Sequence, residues 1–119
     1  MCHVLVIEDE PLVAEYIADV AEQAGATSVA FATSEAEAIS SAQSCVPDVI
    51  LSDVDLKTGG HGPTAVAAIR EQAGPVPVIF ITGTPEACKP CDYAAAILGK
   101  PVQPHVVISA FSKVWPRSA

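Results

Sequence analysis

The stretch VLVIEDEP, Val4–Pro11, sets the reading of the whole chain. Val4 to Ile7 is an unbroken β-branched and aliphatic run with no polar side chain to turn toward water, the pattern of a strand covered on both faces. Glu8, Asp9 and Glu10 end the run. Pro11 lacks an N–H and has a restricted φ, so it suits the first turn of a helix, where that donor would go unpaired in any case. From Leu12 onward the apolar residues Val13, Ile17, Val20, Ala21 and Ala24 recur at helical spacing, and Gly25 supplies a stop.

The same alternation continues outward from this unit. Thr27 to Ala32 reads as a short strand, and Ser34 with Glu37 forms a capping-box signature for a helix reaching about Ser44. Pro47 separates that helix from Val49-Ile50-Leu51, an apolar strand ending at Ser52-Asp53. A loop containing Gly59, Gly60 and Gly62 follows, and Pro63 opens a helix carrying Val66 and Ile69. Val76 to Ile81 and Ala94 to Leu98 are the fourth and fifth strands, and Pro104 to Val114 the last helix. Between Thr82 and Tyr93, Pro85 and Pro90 interrupt the chain and apolar periodicity is weak, which predicts a loop with at most a turn or two of helix. Strands alternating with helices in this way predict a parallel sheet sandwiched between two helical layers, because each parallel pair needs a right-handed crossover.

The chain has 119 residues, half of them apolar, enough for one domain with a real core and no room for a second. Residues 1–119 are therefore expected to form one domain without an output domain. A formal charge of −8 opposes binding to a phosphate backbone, so nucleic acid is not an expected partner. The first residues turn acidic too soon for a secretory signal, and no apolar run approaches the roughly 18 residues of a membrane span. A cytoplasmic location without membrane attachment is expected. Val106, Val107, Ile108 and Phe111 are expected to pack chiefly on the sheet, giving a monomer or weak dimer. Cys88-Lys-Pro-Cys91 reads as C-x-x-C, but there is no second such pair for zinc, and the motif does not follow an early strand and open a helix as a redox motif would.

Ligands of open parallel sheets bind beyond the carboxyl ends of the strands. Glu8-Asp9-Glu10 stand there after the first strand, Asp53 after the third, Thr82-Gly83-Thr84 at the fourth and Gly99-Lys100-Pro101 at the fifth. Each has an ordinary reading taken alone: Asp53 as a turn residue, Thr82 likewise, Lys100 as a solvated charge, the acids as favourable charges at a helix N-terminus. Gathered in one crevice they say more. Converging carboxylates repel unless a cation neutralises them, and an all-oxygen set suits Mg²⁺. A carboxylate nucleophile, a metal, an ammonium and a hydroxyl are the parts of a phosphoryl-transfer site, with Asp53 as acceptor.

With those residues in place, the chain resembles the receiver domains of bacterial two-component response regulators over nearly its whole length. VLVIEDEP (Val4–Pro11), DVILSDVDL (Asp48–Leu56), VIFITGT (Val78–Thr84) and LGKP (Leu98–Pro101) carry the resemblance as an ordered set. It implies a flavodoxin-like (βα)5 fold with strand order 2-1-3-4-5. It also implies phosphorylation of Asp53 by a histidine kinase or phosphotransfer protein and a switch in the binding of a downstream protein target. Asp9 would be the direct Mg²⁺ ligand, Glu8 would act through water, and the Asp55 carbonyl would complete the protein ligands. Thr82 would be the switch hydroxyl and Lys100 the phosphoryl-contacting lysine, followed by Pro101, usually cis in the family. The N–H groups of Val54 and Gly83 would face phosphate oxygens, and Asp55 and Thr84 would tune access of hydrolytic water. Two departures stand out. Lys57 occupies the place of a usual proline, and Ile97 that of the usual Tyr or Phe, so the common relay from threonine to aromatic ring is not expected.

Asp53-Val54-Asp55 also matches the D-x-D of haloacid-dehalogenase-like phosphatases. In those proteins the motif lies on the first strand and the metal acids come last, the reverse of the order here. A phosphorylation-independent pseudo-receiver would have lost Asp53, Asp9 or Lys100, and all three are present. An FMN site fails because the first loop carries three acids where an anion would sit.

Overall fold

The computed structural model describes residues 1–57, 60–85, 91 and 93–115. The elements run β1 (His3–Ile7), α1 (Pro11–Ala24), β2 (Ser28–Ala32), α2 (Glu35–Ser44), β3 (Val49–Ser52), β4 (Asp55–Leu56), β5 (Gly60–His61), α3 (Gly62–Ala73), β6 (Val78–Thr82), β7 (Ala96–Gly99) and α4 (Pro104–Val114). The main sheet is parallel in the order β2-β1-β3-β6-β7, which is the flavodoxin-like order with the two short strands β4 and β5 set apart.

The central strands β1, β3 and β6 are buried almost throughout, as their unbroken apolar runs require. Their side chains alternate between two cores. Val4, Val6, Leu51, Ile79 and Ile81 face α1 and α4, where Ile17, Ala21, Val107 and Phe111 meet them. Leu5, Ile7, Ile50, Val78 and Phe80 face α2 and α3, against Ala38, Ala42, Val66 and Ile69. Of the apolar residues of α4, Val107 and Phe111 are buried, Ile108 packs partly on the core, and Val106 stays exposed. Buried on both faces, the strands hold their carboxyl ends at one level, and that level carries the site.

Local signals fall where the sequence puts them, with some shifts. Pro11 sits in the first turn of α1, and Gly25, at φ 125°, caps its end. Ser34 Oγ accepts the Glu37 N–H at 3.1 Å, as in a capping box, but the return bond runs one residue further back. Glu37 Oε1 takes the N–H and hydroxyl of Thr33 at 2.7 and 2.8 Å rather than the N–H of Ser34. These bonds hold the Glu37 carboxyl below its ordinary pKa. β6 begins at Val78 rather than Val76 because Pro77 has no N–H to enter the ladder; its carbonyl still accepts the Ile50 N–H at 2.9 Å.

The glycine-rich segment after Asp53, expected from the sequence to be a loop, contains an antiparallel hairpin in which Asp55 pairs with His61 and Leu56 with Gly60. Two-residue strands carry no period for a pattern to reveal. The defective fourth crossover, expected between Thr82 and Tyr93, falls largely on residues 86–90 and 92, outside the described residues. Cys88 lies there too; Cys91 is buried and disulfide-bonded, and Cys2 and Cys45 are free.

Candidate functional site

Asp53 leaves the end of β3 with its backbone fixed from three sides. Its N–H donates to the Ile7 carbonyl of β1 at 2.9 Å, which ties it to the strand that delivers Glu8. The Ser52 hydroxyl donates to the Asp53 carbonyl at 2.8 Å. Gly62, the first residue of α3, presses against that same carbonyl: a Cβ there would lie 1.8 Å from the oxygen, so no larger residue fits without displacing the Asp53 backbone. The Gly62 N–H also donates to the Val54 carbonyl at 2.7 Å.

Lys100 arrives from the other side of the sheet. Its main-chain N–H donates to the Thr82 carbonyl at 2.8 Å, which extends the β6–β7 ladder past its last pair. Its ammonium then reaches Glu8 Oε1 at 2.7 Å and Asp53 Oδ2 at 3.1 Å. The side chain of Glu8 is 1% exposed and that of Lys100 24%. At Glu8 burial dominates and pushes the carboxyl above its ordinary value, although Lys100 and the Glu10 N–H pull the other way. At Lys100 the balance is reversed: burial alone would lower it, but the bonds to Glu8 and Asp53 outweigh burial and hold it above the usual lysine value. The two shifts have different causes: pairing with two carboxylates favours the charged lysine, whereas at Glu8 the cost of burying a carboxylate exceeds what the pairing returns.

The remaining oxygens face the crevice. Asp53 Oδ1 accepts the Val54 N–H at 2.7 Å. Asp9 Oδ2 accepts the main-chain N–H of Lys57 at 2.6 Å. One oxygen each of Glu8, Asp9 and Asp53 lies within 4.8 Å of the others. Three carboxylate oxygens converging at this spacing offer a small divalent cation the charge it needs, with water free to fill its remaining positions. Hard carboxylate donors of this kind suit Mg²⁺ chemically as well.

The other predicted residues are placed around this centre. Thr82 is buried at the end of β6, and its hydroxyl accepts the Thr84 N–H at 3.2 Å. Gly83 is exposed with open space where a Cβ would stand. Thr84 is exposed, as is Asp55, whose side chain lies on the outside of β4. The Lys100–Pro101 peptide is cis, as the resemblance implied. Ile97 lies half-exposed on the edge strand β7, 37% accessible, and is not part of the carboxylate–lysine cluster.

Several residues that shape the site carry little signal in the sequence. Gly62 reads there only as part of a glycine-rich loop, and its place directly before a helix-opening proline is the one local sign of close packing. Ser52 gives no signal because its hydroxyl bonds a neighbouring main-chain carbonyl, and Glu35 gives none because it accepts the His61 N–H, 26 residues further along the chain. Lys57 stands out only as a departure from proline.

The chain belongs to the response regulator receiver domain family, whose model matches residues 4–111. It is 35% identical over 113 residues to the phyllosphere-induced regulator PhyR of Methylorubrum extorquens, a match covering 92% of this chain and 42% of that protein. Among solved structures, the receiver domain of Erythrobacter litoralis PhyR superposes with a TM-score of 0.83 at 30% identity, covering 99% of this chain and 95% of the other. A mutant of the anti-anti-sigma factor PhyR from Bartonella quintana gives 0.84 at 32% identity, covering 95% and 48%. The chain thus spans about half the length of the full-length relatives it matches. Among the described residues no helix is long and apolar enough to cross a membrane.

Proposed function

We propose that this receiver accepts a phosphoryl group on Asp53 from a histidine kinase or histidine phosphotransfer protein and thereby switches its binding to a downstream protein. The observation that carries this reading is the joint position of Lys100 on Glu8 and Asp53, with the oxygens of Glu8, Asp9 and Asp53 within 4.8 Å of one another. A purely structural role would not require three carboxylates and one ammonium to converge at one sheet edge.

In this mechanism an oxygen of Asp53 forms the new P–O bond as the donor's bond to phosphorus breaks. Glu8, Asp9, Asp53 and the Asp55 carbonyl would hold Mg²⁺, which supplies positive charge for the equatorial phosphoryl oxygens. Lys100 exchanges its bond to the Asp53 carboxylate for one to a phosphoryl oxygen, at short reach and with little reorganisation. The Val54 N–H, which now serves Asp53 Oδ1, and the Gly83 N–H become donors to the same group. Thr82 turns its hydroxyl toward it. Asp55 and Thr84, at the exposed mouth, govern hydrolytic water. No substrate turnover beyond self-modification and its reversal is ascribed to the chain.

The likeness to PhyR proteins favours a protein, rather than nucleic acid, as the target of the switch, and the charge of −8 agrees with that. With Ile97 on β7 in place of an aromatic ring, the signal must leave through main-chain movement around Thr82 and Lys100. A cytoplasmic setting suits this partner set.

Acetyl phosphate with Mg²⁺ should add the mass of one phosphoryl group to the intact protein and none to Asp53→Asn. An equal gain in both would refute the assignment of the acceptor.

A further inference from the structure

The turn closing β4 makes a contact that the acceptor chemistry leaves unexplained. Lys57 touches the acidic cluster twice. Its ammonium, 76% exposed, lies 3.2 Å from Glu10 Oε1, an arrangement worth little in water. Its main-chain N–H meets Asp9 Oδ2 at 2.6 Å, a short charge-assisted bond on a carboxylate that belongs to the cation cluster. A second carboxylate fixes the same hairpin from the far side: Glu35 Oε2, from the first turn of α2, accepts the His61 N–H at 2.7 Å. Gly60, at φ +101°, leaves the space that Glu35 fills, since a Cβ there would stand 2.0 Å from Glu35 Oε2. The donor facing Asp9 is therefore held by a braced element.

We propose that the main-chain N–H of Lys57 is a positioning donor for Asp9. By engaging Asp9 Oδ2 it fixes the orientation of that carboxylate beside Glu8 and Asp53, and in doing so sets the affinity of this chain for a divalent cation. Outer hydrogen bonds of this sort orient metal-ligating carboxylates and fix their basicity. A proline at this place, lacking the N–H, could not do it; the function belongs to the peptide group and not to the lysine side chain. Because linkage is reciprocal, cation binding in turn stabilises the hairpin through Asp9. The inference rests on the cation-site reading above.

The test is a Mg²⁺ titration of the unphosphorylated chain followed by amide chemical shifts. Wild type should bind, Lys57→Ala, which keeps the N–H, should bind within about fivefold of it, and Lys57→Pro should bind about 10–100-fold more weakly. If wild type does not bind Mg²⁺, the cation reading fails and this inference with it. If wild type and Lys57→Pro bind equally, only the positioning role fails. Hydrogen exchange of the Lys57 amide decides the matter should Lys57→Pro not fold: the amide should be protected in wild type and exchange at least about tenfold faster in Asp9→Ala, as expected on losing a bond worth upward of 1.4 kcal/mol. An amide unprotected in wild type, or equally protected in both, overturns the proposal.

Discussion

Glu8, Asp53 and Lys100 stand at the ends of strands locked into the main sheet, two of them sealed in apolar side chains on both faces, whereas the β4–β5 hairpin beside them has only two residues per strand and is tied down by carboxylates. The first region draws its geometry from burial. The second is anchored by one buried side chain, Leu56, and otherwise by single hydrogen bonds, so a substitution at one of those bonds can loosen it with little effect on the sheet. The proposed transfer to Asp53 would draw on both kinds of support: oxygens held at fixed spacing by the sheet, and a hairpin tied by a hydrogen bond to Asp9 of the same cluster.

The comparison breaks most severely if the sheet itself is loosened. Leu51→Ala, at a fully buried site in the middle of β3, should cost about 2–5 kcal/mol in urea unfolding and lower Asp53 phosphorylation together with stability. Retained stability would show that the strand ends do not depend on this core.

A smaller effect is expected at the ion pair. Lys100→Met leaves buried Glu8 without its partner and should cost on the order of 1–3 kcal/mol near neutral pH. The direction with pH follows from both raised pKa values. The Lys100 contribution is full below its ordinary 10.5 and fades only as pH rises through the raised value. Glu8 without its partner favours its protonated form still more strongly, so the deficit of Lys100→Met should shrink as pH falls through the raised Glu8 value. Urea midpoints of the two proteins compared across the acid range test this; a constant gap contradicts it.

The mildest substitution sharpens the contrast. Gly60→Ala meets only the far end of the flexible Glu35 side chain, which can swing away, but it strains a backbone at φ +101°. About 1–2 kcal/mol is expected from that strain, and faster amide exchange should be confined to His61 and its hairpin neighbours. Faster exchange spreading through β1 and β3 would mean that the hairpin supports the sheet after all.

Much of the fold is legible in the sequence because unbroken strands and periodic helices signal themselves locally: Val4–Ile7 and Val49–Leu51 need no partner to be recognised. Asp53, Thr82 and Lys100 are legible as site candidates because parallel topology puts every strand's carboxyl end on one edge. The hairpin escapes because it has no periodicity, and the pattern places β6 two residues early because Val76 is apolar yet separated from the ladder by Pro77. Gly62 reads as flexibility when its reason is contact, a Cβ-sized space already taken by the Asp53 carbonyl.

By itself the order of residues determined the architecture and the roster of charged groups at its functional edge, since hydrophobic burial and strand direction follow from local pattern. Which oxygen faces which donor was decided only in three dimensions. Glu8 and Lys100 lie 92 residues apart along the chain, and Asp9 meets a peptide N–H whose identity no side chain announces. Hydrogen bonds depend on distance and angle to within fractions of an ångström, and those are settled by the packing of the whole sheet rather than by any segment of it.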